Sequence, residues 1–248
     1  MTSSQLYKSA AILGVSSLFS RILGVLRDHL LARYFGAGGE GIYNLDVYYG
    51  AFRIPDFVYG LLVMGTVSAA FIPVLTQVMK SAKGNDEHYV NRFISNVLTL
   101  LTALTFLVAL IGFVFAPQLV AILVPGFDGE TSALTVTLTR IMLLSPIFFC
   151  VSSVFQAIQN AKNLFLYYAL APLFYNLGII AGIVFFGREY GVYAVAGGVV
   201  IGALLHMLVQ LPGVKMAGFT YRFVFDAKDE FIWRMWRLFL PRVVGTSV

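Results

Sequence analysis

The 248-residue chain is 59% hydrophobic and only 12% charged, with a formal net charge of +5. Soluble domains carry about 25% charged residues, so this composition argues against an ordinary soluble protein. The basic residues lie beside or inside apolar runs, with no soluble basic face for nucleic acid. The runs are long and do not alternate as transmembrane strands do. We therefore predict an all-α, polytopic helical membrane protein.

Glycine, proline and polar breaks divide the chain into six predicted membrane spans and the start of a seventh near Pro241. The second span is too long for a simple crossing. Gly60, Gly65 and Pro73 predict that it bends or breaks. The six spans are expected near residues 8–35, 44–79, 90–124, 132–160, 163–187 and 190–214.

The distribution of lysine and arginine predicts the orientation of these spans. The loops between spans 2 and 3, 4 and 5, and 6 and 7 carry nine basic residues. The loops between spans 3 and 4 and between spans 5 and 6 carry only Arg188. Cytoplasmic loops are the ones enriched in lysine and arginine, so we predict a cytoplasmic membrane protein with its N-terminus in the cytoplasm. The nine residues are Lys80, Lys83, Arg92, Lys162, Lys215, Arg222, Lys228, Arg234 and Arg237.

The segment after the sixth span has a different composition, in which aromatic residues such as Trp233 and Trp236 alternate with basic ones. Asp226 is a candidate N-cap, with Asp229 three residues on. This pattern is typical of an amphipathic helix at the membrane interface. We accordingly divide the chain into a six-helix transmembrane lobe (1–216), a cytoplasmic interfacial helix (217–240) and the start of a seventh span (241–248).

The first span carries polar and charged side chains on one face. On a helical projection of 100° per residue, Ser20, Arg21, Arg27 and Asp28 fall within a stripe of about 120°. Leucine, isoleucine, valine and phenylalanine occupy the other side. The stripe therefore predicts a face that is directed away from lipid.

The second span repeats this pattern, since Asp46 and Arg53 are seven residues apart and project within about 20° of each other. A lipid-exposed arginine costs roughly 2.5–3.5 kcal/mol, so both charged faces are expected to face each other or a wet cavity. In one interpretation, Asp28 and Asp46 neutralise the arginines in a structural network. In the other, the guanidiniums bind a phosphate-like anion and the acids set orientation or gating. Intramembrane ionisable groups favour the second.

Other residues predict helix packing rather than chemistry. His206 is expected to make an interhelical hydrogen bond, and no metal site, cofactor or nucleophile–base pair is predicted, so we do not expect an enzyme. The motifs Gly178-x-x-x-Gly182 and Gly198-x-x-x-Gly202 suit close helix contact. Pro146 and Pro172 predict kinks within the fourth and fifth spans.

Several blocks of sequence resemble the MurJ/MviN family of lipid II flippases, in the superfamily that includes MATE exporters and polysaccharide flippases. The most specific are FSRILGVLRDHLLARYFGAG at 19–38 and the AP-x-x-x-N block at 171–176, and LDVYYGAFRIPDF at 45–57 is a further match. The resemblance covers essentially the whole chain. It implies two six-helix lobes around a central cavity that opens alternately to each membrane face.

This resemblance implies a function and a set of site residues. The chain is expected to move lipid II across the cytoplasmic membrane for peptidoglycan synthesis, with lipid II and membrane lipids as partners. Because the chain stops at the seventh helix, it resembles only the N-terminal lobe, and the second lobe is expected to lie outside it. The functional first-helix residues of the family match Ser20, Arg21 and Arg27, and its second-helix acid matches Asp46. Together with the charged faces described above, this assigns substrate binding to Ser20, Arg21, Arg27 and Arg53, and gating or a charge network to Asp28 and Asp46.

Three alternatives remain open at this point. The same fold could move another polyprenyl-diphosphate glycan or act as a MATE-like exporter, and a chain of a different class would be a membrane scaffold without transport. The chain departs from the family pattern in one place. Many relatives have a basic pair and then a glutamate where this chain has Tyr59, Gly60 and Met64.

Overall fold

The computed structural model describes residues 3–36, 39–62, 70–81 and 86–246. These residues are mostly helical and contain no β-strand, which confirms the predicted all-α class. The helices are α1 Ser3–Phe35, α2 Leu45–Val58, α3 Ile72–Lys80, α4 Glu87–Val114, α5 Ala116–Leu123, α6 Gly129–Met142, α7 Ser145–Ala161, α8 Phe165–Ala181, α9 Gly187–Tyr190, α10 Val192–Leu208, α11 Leu211–Met216 and α12 Glu230–Thr246.

Within the described residues, five helical stretches are long and apolar enough to cross a membrane, and they match five of the six predicted spans. In the described part of the predicted second span, α2 passes into a π-helical turn that contains Gly60, and α3 begins with Pro73 in its first turn. Gly65 lies outside the described residues. The five stretches are Ala10–Phe35, Glu87–Val114, Gly129–Ala161, Phe165–Tyr190 and Val192–Met216.

Prolines divide these spans into shorter helices. Pro146 lies in the first turn of α7, immediately after the break that separates α6 from α7. Pro117 stands in the same position in α5, after the break at Phe115. A proline is tolerated in a first helical turn because the missing N–H has no partner there. Pro172 differs, since α8 continues through it.

The two glycine motifs pack against each other and join α8 to α10. A Cβ atom on Gly178 would lie 2.5 Å from the Cα atom of Gly202, and one on Gly182 would lie 3.1 Å from the Cα atom of Gly198. The backbones therefore approach more closely than any larger side chain allows. This confirms the predicted close contact.

Residues 219–227 lie against α4 as a non-helical segment between α11 and α12. The Asn96 side chain donates to the Asp226 carbonyl at 2.7 Å and accepts from the Asp226 N–H at 2.9 Å. The Arg222 N–H donates to the Ser95 hydroxyl at 3.2 Å. These bonds replace the backbone pairs that a helix would have supplied.

The helix that follows begins at Glu230, so the predicted N-cap at Asp226 is wrong. The Asp229 carboxylate instead accepts from the backbone N–H of Phe231 at 2.8 Å and of Ile232 at 3.4 Å. This is the geometry of an N-cap. Asp226 accepts from the Lys228 N–H at 3.1 Å in the preceding turn. The α12 helix then runs through Pro241.

Candidate functional site

Of the polar stripe of α1, Ser20 and Arg27 lie against the protein, whereas Arg21 and Asp28 are exposed; most of the apolar side of the helix faces outward. Ser16 is buried, Ser20 and Arg27 are half-buried, and Phe19 and Val25 are exposed. Only 6% of the apolar window of this span is buried within the chain. The arrangement is the reverse of a soluble amphipathic helix and is the expected one for a helix whose apolar side meets lipid.

Arg27 lies at the junction of α1 and α8. Its Nη1 donates to the Asn176 Oδ1 at 3.1 Å, while its Nε and Nη2 contact the Asp28 Oδ1 at 2.9 and 2.8 Å. The Asn176 Nδ2 donates to the Pro172 carbonyl at 3.1 Å and contacts both the Ser20 carbonyl and its hydroxyl at 3.4 Å. Asn176 therefore accepts a hydrogen bond from the guanidinium with its side-chain oxygen and donates one to the α1 backbone with its side-chain nitrogen.

A cavity of about 360 Å³ adjoins this junction. Among the described residues that line it, Arg27 and Asp56 are charged and His206 is an imidazole, and the others are mainly aromatic or proline. A cationic group among aromatic rings suits a ligand that has both an anionic part and an apolar or sugar face. The remaining lining residues are Phe52, Pro55, Tyr59, Ser145, Phe149, Pro172 and Tyr175.

A buried chain of hydrogen bonds leads to His206. The Gln159 Nε2 donates to the Phe155 carbonyl at 3.2 Å and to the Gln210 Oε1 at 3.0 Å. The Gln210 Nε2 donates to the His206 carbonyl at 3.1 Å and to the Ser152 hydroxyl. Because each amide nitrogen donates to a backbone carbonyl, which only accepts, the orientation of both amides is fixed.

This chain favours one tautomer of His206. The Ser152 hydroxyl accepts from Gln210, and its own hydrogen has two acceptors within reach, the His206 Nδ1 at 2.6 Å and the His206 carbonyl at 3.4 Å. The shorter contact favours donation to Nδ1. A neutral imidazole that accepts at Nδ1 carries its proton on Nε2. The ring lines the cavity, packed edge-on against Phe149 with ring centres 5.2 Å apart. The predicted interhelical hydrogen bond of His206 is confirmed.

The other predicted site residues lie apart from this junction. The Arg53 Nη1 donates to the Leu123 carbonyl at 3.0 Å, at the end of α5. Arg140 does the same for α4, since its Nε donates to the Phe113 carbonyl at 3.1 Å. The last carbonyls of a helix have no partner within the helix, and a cation near them is favoured by the helix dipole. Both arginines thus donate hydrogen bonds to carbonyls at helix C-termini.

Asp46 and Arg21 have no ion-pair partner in the part of the chain that the structure describes. Asp46 lies exposed in the first turn of α2, where a negative charge is favoured by the helix dipole. Arg21 is exposed on the edge of the α1 stripe. The structure therefore brings together Ser20, Arg27 and Asp28, and it does not bring Asp46 or Arg53 to them.

Two residues of this site were missed by the sequence reasoning. Asn176 is the last residue of the AP-x-x-x-N block, and its position four residues after Pro172 was the available signal. His206 was identified, but only as a helix-packing residue. Its position on the cavity depends on Ser152 and Gln210, which no local pattern connects. In the described ranges, no group of three His, Cys, Asp or Glu side chains could hold a metal ion.

The sequence itself matches one known family. A family model described as "Lipid II flippase MurJ" matches residues 31–248. The chain belongs to this family. Its relatives include the probable lipid II flippase MurJ of Buchnera aphidicola (subsp. Acyrthosiphon pisum), at 31% identity over 98% of this chain and 47% of the relative. The lipid II flippase MurJ of Burkholderia cenocepacia is 34% identical over 83% of this chain and 40% of its own length.

The fold gives the same result. A solved structure of lipid II flippase MurJ in an inward closed conformation aligns with a TM-score of 0.74 and 27% identity. The alignment covers 95% of this chain and 48% of that one. The chain thus spans a little under half the length of the MurJ relatives that it matches. It is a multi-pass membrane protein of that family.

Proposed function

We propose that this chain forms the N-terminal lobe of a lipid II flippase, oriented with its N-terminus in the cytoplasm. The proposal is supported by its MurJ family membership and by the half-length match to full relatives. The feature that carries it is the Arg27–Asn176 junction beside a cavity. An ionisable group at this depth of a membrane bundle costs several kcal/mol and is retained for function.

The geometry of Arg27 suits a phosphate. A guanidinium has five N–H groups. Asp28 engages the Nε–H and one N–H of Nη2, and Asn176 engages one N–H of Nη1. One N–H on each terminal nitrogen is left over for a ligand, and a fork of two such N–H groups matches two oxygens of a phosphate. Asp28 and Asn176 then orient the fork before the ligand arrives.

The charges of the α1 stripe favour an anion over a structural network. A purely structural network would pair each arginine of the stripe with an acid. Arg27 has Asp28, but Arg21 is exposed and has no acidic partner in the described part of the chain. The stripe therefore carries a net positive charge, while Asp56 is the carboxylate of the cavity wall beside which a diphosphate would bind.

Transport requires more than this lobe. In alternating access, two lobes rock about a site between them, and the substrate drives the change only if it binds the two states differently. We expect residues 1–248 to insert into the membrane without transporting on their own. Restored growth of a flippase-depleted cell by this chain alone would contradict that expectation.

A second polyprenyl-diphosphate glycan is the other candidate substrate. Tyr59 lines the cavity at a position where many relatives are basic. A phenol at that position changes the contacts with the headgroup but leaves the diphosphate fork of Arg27 intact. Comparing lipid II with a different polyprenyl-diphosphate glycan as ligands separates the two candidates.

The proposal is tested by binding of lipid II to the purified chain in lipid nanodiscs. Losing hydrogen bonds to a charged group costs about 1.5–3 kcal/mol, so Arg27→Ala is expected to weaken binding about 10- to 150-fold. Arg27→Lys is expected to bind poorly too, because an ammonium lacks the fork. Arg188→Ala, an exposed arginine outside the cavity, is the matched control. Unchanged binding by Arg27→Ala would contradict the proposal.

A further inference from the structure

A second, larger opening lies on the opposite side of α7. It is a cleft of about 820 Å³ between α4, α7 and α11, closed at one end by residues 219–221. Leu98, Phe106, Ile147 and Phe155 form part of an almost wholly apolar lining, and among the described residues Lys215 is the only charged one that contributes to it.

The cleft extends along α4, one of the helices long and apolar enough to cross a membrane. Leu98 and Phe106 are eight residues apart on α4, which corresponds to about 12 Å along the helix axis. The hydrocarbon core is about 30 Å thick, so the cleft reaches well into one leaflet. A surface of this depth and polarity in a bilayer is complementary to an acyl chain.

The mouth of the cleft presents one positive charge. Lys215 is exposed, and no carboxylate in the described residues lies within 4.0 Å of its amine. Tyr221 does not compete for a ligand as a donor, because the Thr99 hydroxyl already donates to the Ser95 carbonyl at 2.8 Å and must accept from Tyr221 at 3.0 Å. Lys215 therefore remains as the cationic donor at this end.

The cleft is separate from the Arg27 cavity. Ile147 and Phe155 of α7 line the cleft, whereas Ser145 and Phe149 of the same helix line the cavity. Residues two apart on a helix project about 200° from each other. Helix α7 thus stands between the two openings, and a ligand in one does not occupy the other.

We propose that this cleft binds an anionic glycerophospholipid, with one acyl chain along α4 and its phosphate on Lys215. One cation suits a phosphodiester with a single negative charge. Basic pockets between spans on the cytoplasmic side recognise anionic headgroups, and the lysine and arginine bias assigns the Lys215 end to that side. The site goes beyond the proposed transport function and does not depend on it.

The proposal is tested by native mass spectrometry of the purified, delipidated chain with phosphatidylglycerol or phosphatidylcholine of the same acyl chains. One phosphatidylglycerol is expected to bind in preference to phosphatidylcholine. A lysine near an anionic headgroup contributes about a fivefold preference, so Lys215→Gln is expected to reduce phosphatidylglycerol affinity about fivefold. Lys162→Gln, a lysine of another connection with the same predicted orientation, is expected to leave it unchanged.

A second pair of variants tests the acyl-chain site itself. Ala103 is exposed and lines the cleft, so Ala103→Trp is expected to fill it and to reduce binding of phosphatidylglycerol. Leu107→Trp, one helical turn on and exposed outside the cleft, is the control. Equal binding of the two lipids, or equal losses in Lys215→Gln and Lys162→Gln, would overturn the proposal. So would displacement of phosphatidylglycerol by an equimolar polyprenyl phosphate, because the cleft would then belong to the transported lipid.

Discussion

The Arg27 guanidinium and the Asn176 side-chain oxygen are hydrogen-bonded at 3.1 Å, although 149 residues separate them in the chain. The bond ties the charged stripe of α1 to the middle of α8. Asn176 also reaches the Ser20 carbonyl, so the same amide fixes both the arginine and the helix that carries it. A ligand that binds Arg27 therefore meets a guanidinium whose position is already set.

The first prediction separates anion binding from scaffolding at this junction. Arg27→Ala is expected to weaken lipid II binding while lowering the free energy of unfolding by only about 1–2 kcal/mol, because a single partner of Asn176 is lost. Asp28 is 58% exposed on the stripe that is predicted to face a wet cavity, so its charge is expected to stay solvated when its partner is removed. Lipid II binding and the melting temperature of the same sample measure the two effects.

The double variant Arg27→Ala/Asp28→Asn is the control for the unpaired carboxylate that Arg27→Ala leaves at Asp28. It is expected to bind lipid II as poorly as Arg27→Ala and to melt at a similar temperature. Recovery of stability in the double variant, together with binding that stays intact in both, would show that the stripe is structural.

The amphipathic period of α1 was enough to predict that Ser20 and Arg27 face away from lipid. It was not enough to predict the partner of Arg53. That arginine donates to the backbone carbonyl of Leu123, 70 residues later. A carbonyl at a helix end is set by where the helix stops, and every residue type offers the same acceptor. Sequence therefore indicates which side of a span is charged, but not which helix-end carbonyl accepts a hydrogen bond from the charged side chain.

The same limit holds at the start of α12. The residues Asp226 and Asp229 are chemically equal as N-caps, and the sequence favoured the first. The structure uses Asp226 to pair its backbone with Asn96 of α4, 130 residues earlier. That tertiary contact holds residue 226 outside the helix and leaves Asp229 to cap it.

A second prediction concerns the glycine contact between α8 and α10. Gly178→Ala is expected to lower the free energy of unfolding by about 1–3 kcal/mol, because the added Cβ would lie 2.5 Å from the Gly202 Cα and the backbones must separate. Gly197→Ala on α10 is the matched control, since nothing lies within 4 Å of its Cβ position. It is expected to be neutral or stabilising by up to about 1 kcal/mol. Thermal unfolding in detergent compares the two, and equal effects would contradict the close packing.

A third prediction tests the buried chain that ends at His206. Ser152→Ala removes the acceptor of Gln210 and the donor to the His206 Nδ1, so it is expected to cost about 1–3 kcal/mol of stability. In nitrogen-15 NMR, the wild-type ring is expected to be protonated at Nε2 and unprotonated at Nδ1. The variant is expected to lose that single tautomer.

Ser153 provides the control for this prediction. Its hydroxyl donates only to the carbonyls of Phe149 and Cys150 within its own helix. Ser153→Ala is therefore expected to change stability by less than about 0.5 kcal/mol and to leave the His206 tautomer unchanged. A protonated Nδ1 in the wild-type chain would show that the direction of the hydrogen-bond chain is wrong.

The last prediction concerns topology. Gly126 lies in the turn before α6, and Lys162 follows α7. The helical stretch between them is 33 residues long, or about 50 Å, which is enough to cross a hydrocarbon core of about 30 Å. Cysteines at these two positions are therefore expected on opposite sides of the membrane.

With the N-terminus in the cytoplasm, Gly126→Cys is expected to react with an impermeant maleimide added to intact spheroplasts, and Lys162→Cys only after lysis. The native Cys150 is 2% exposed, so its background labelling is expected to be low. The reverse pattern would overturn the orientation that the lysine and arginine bias predicts, and labelling of both from outside would show that this stretch does not span the bilayer.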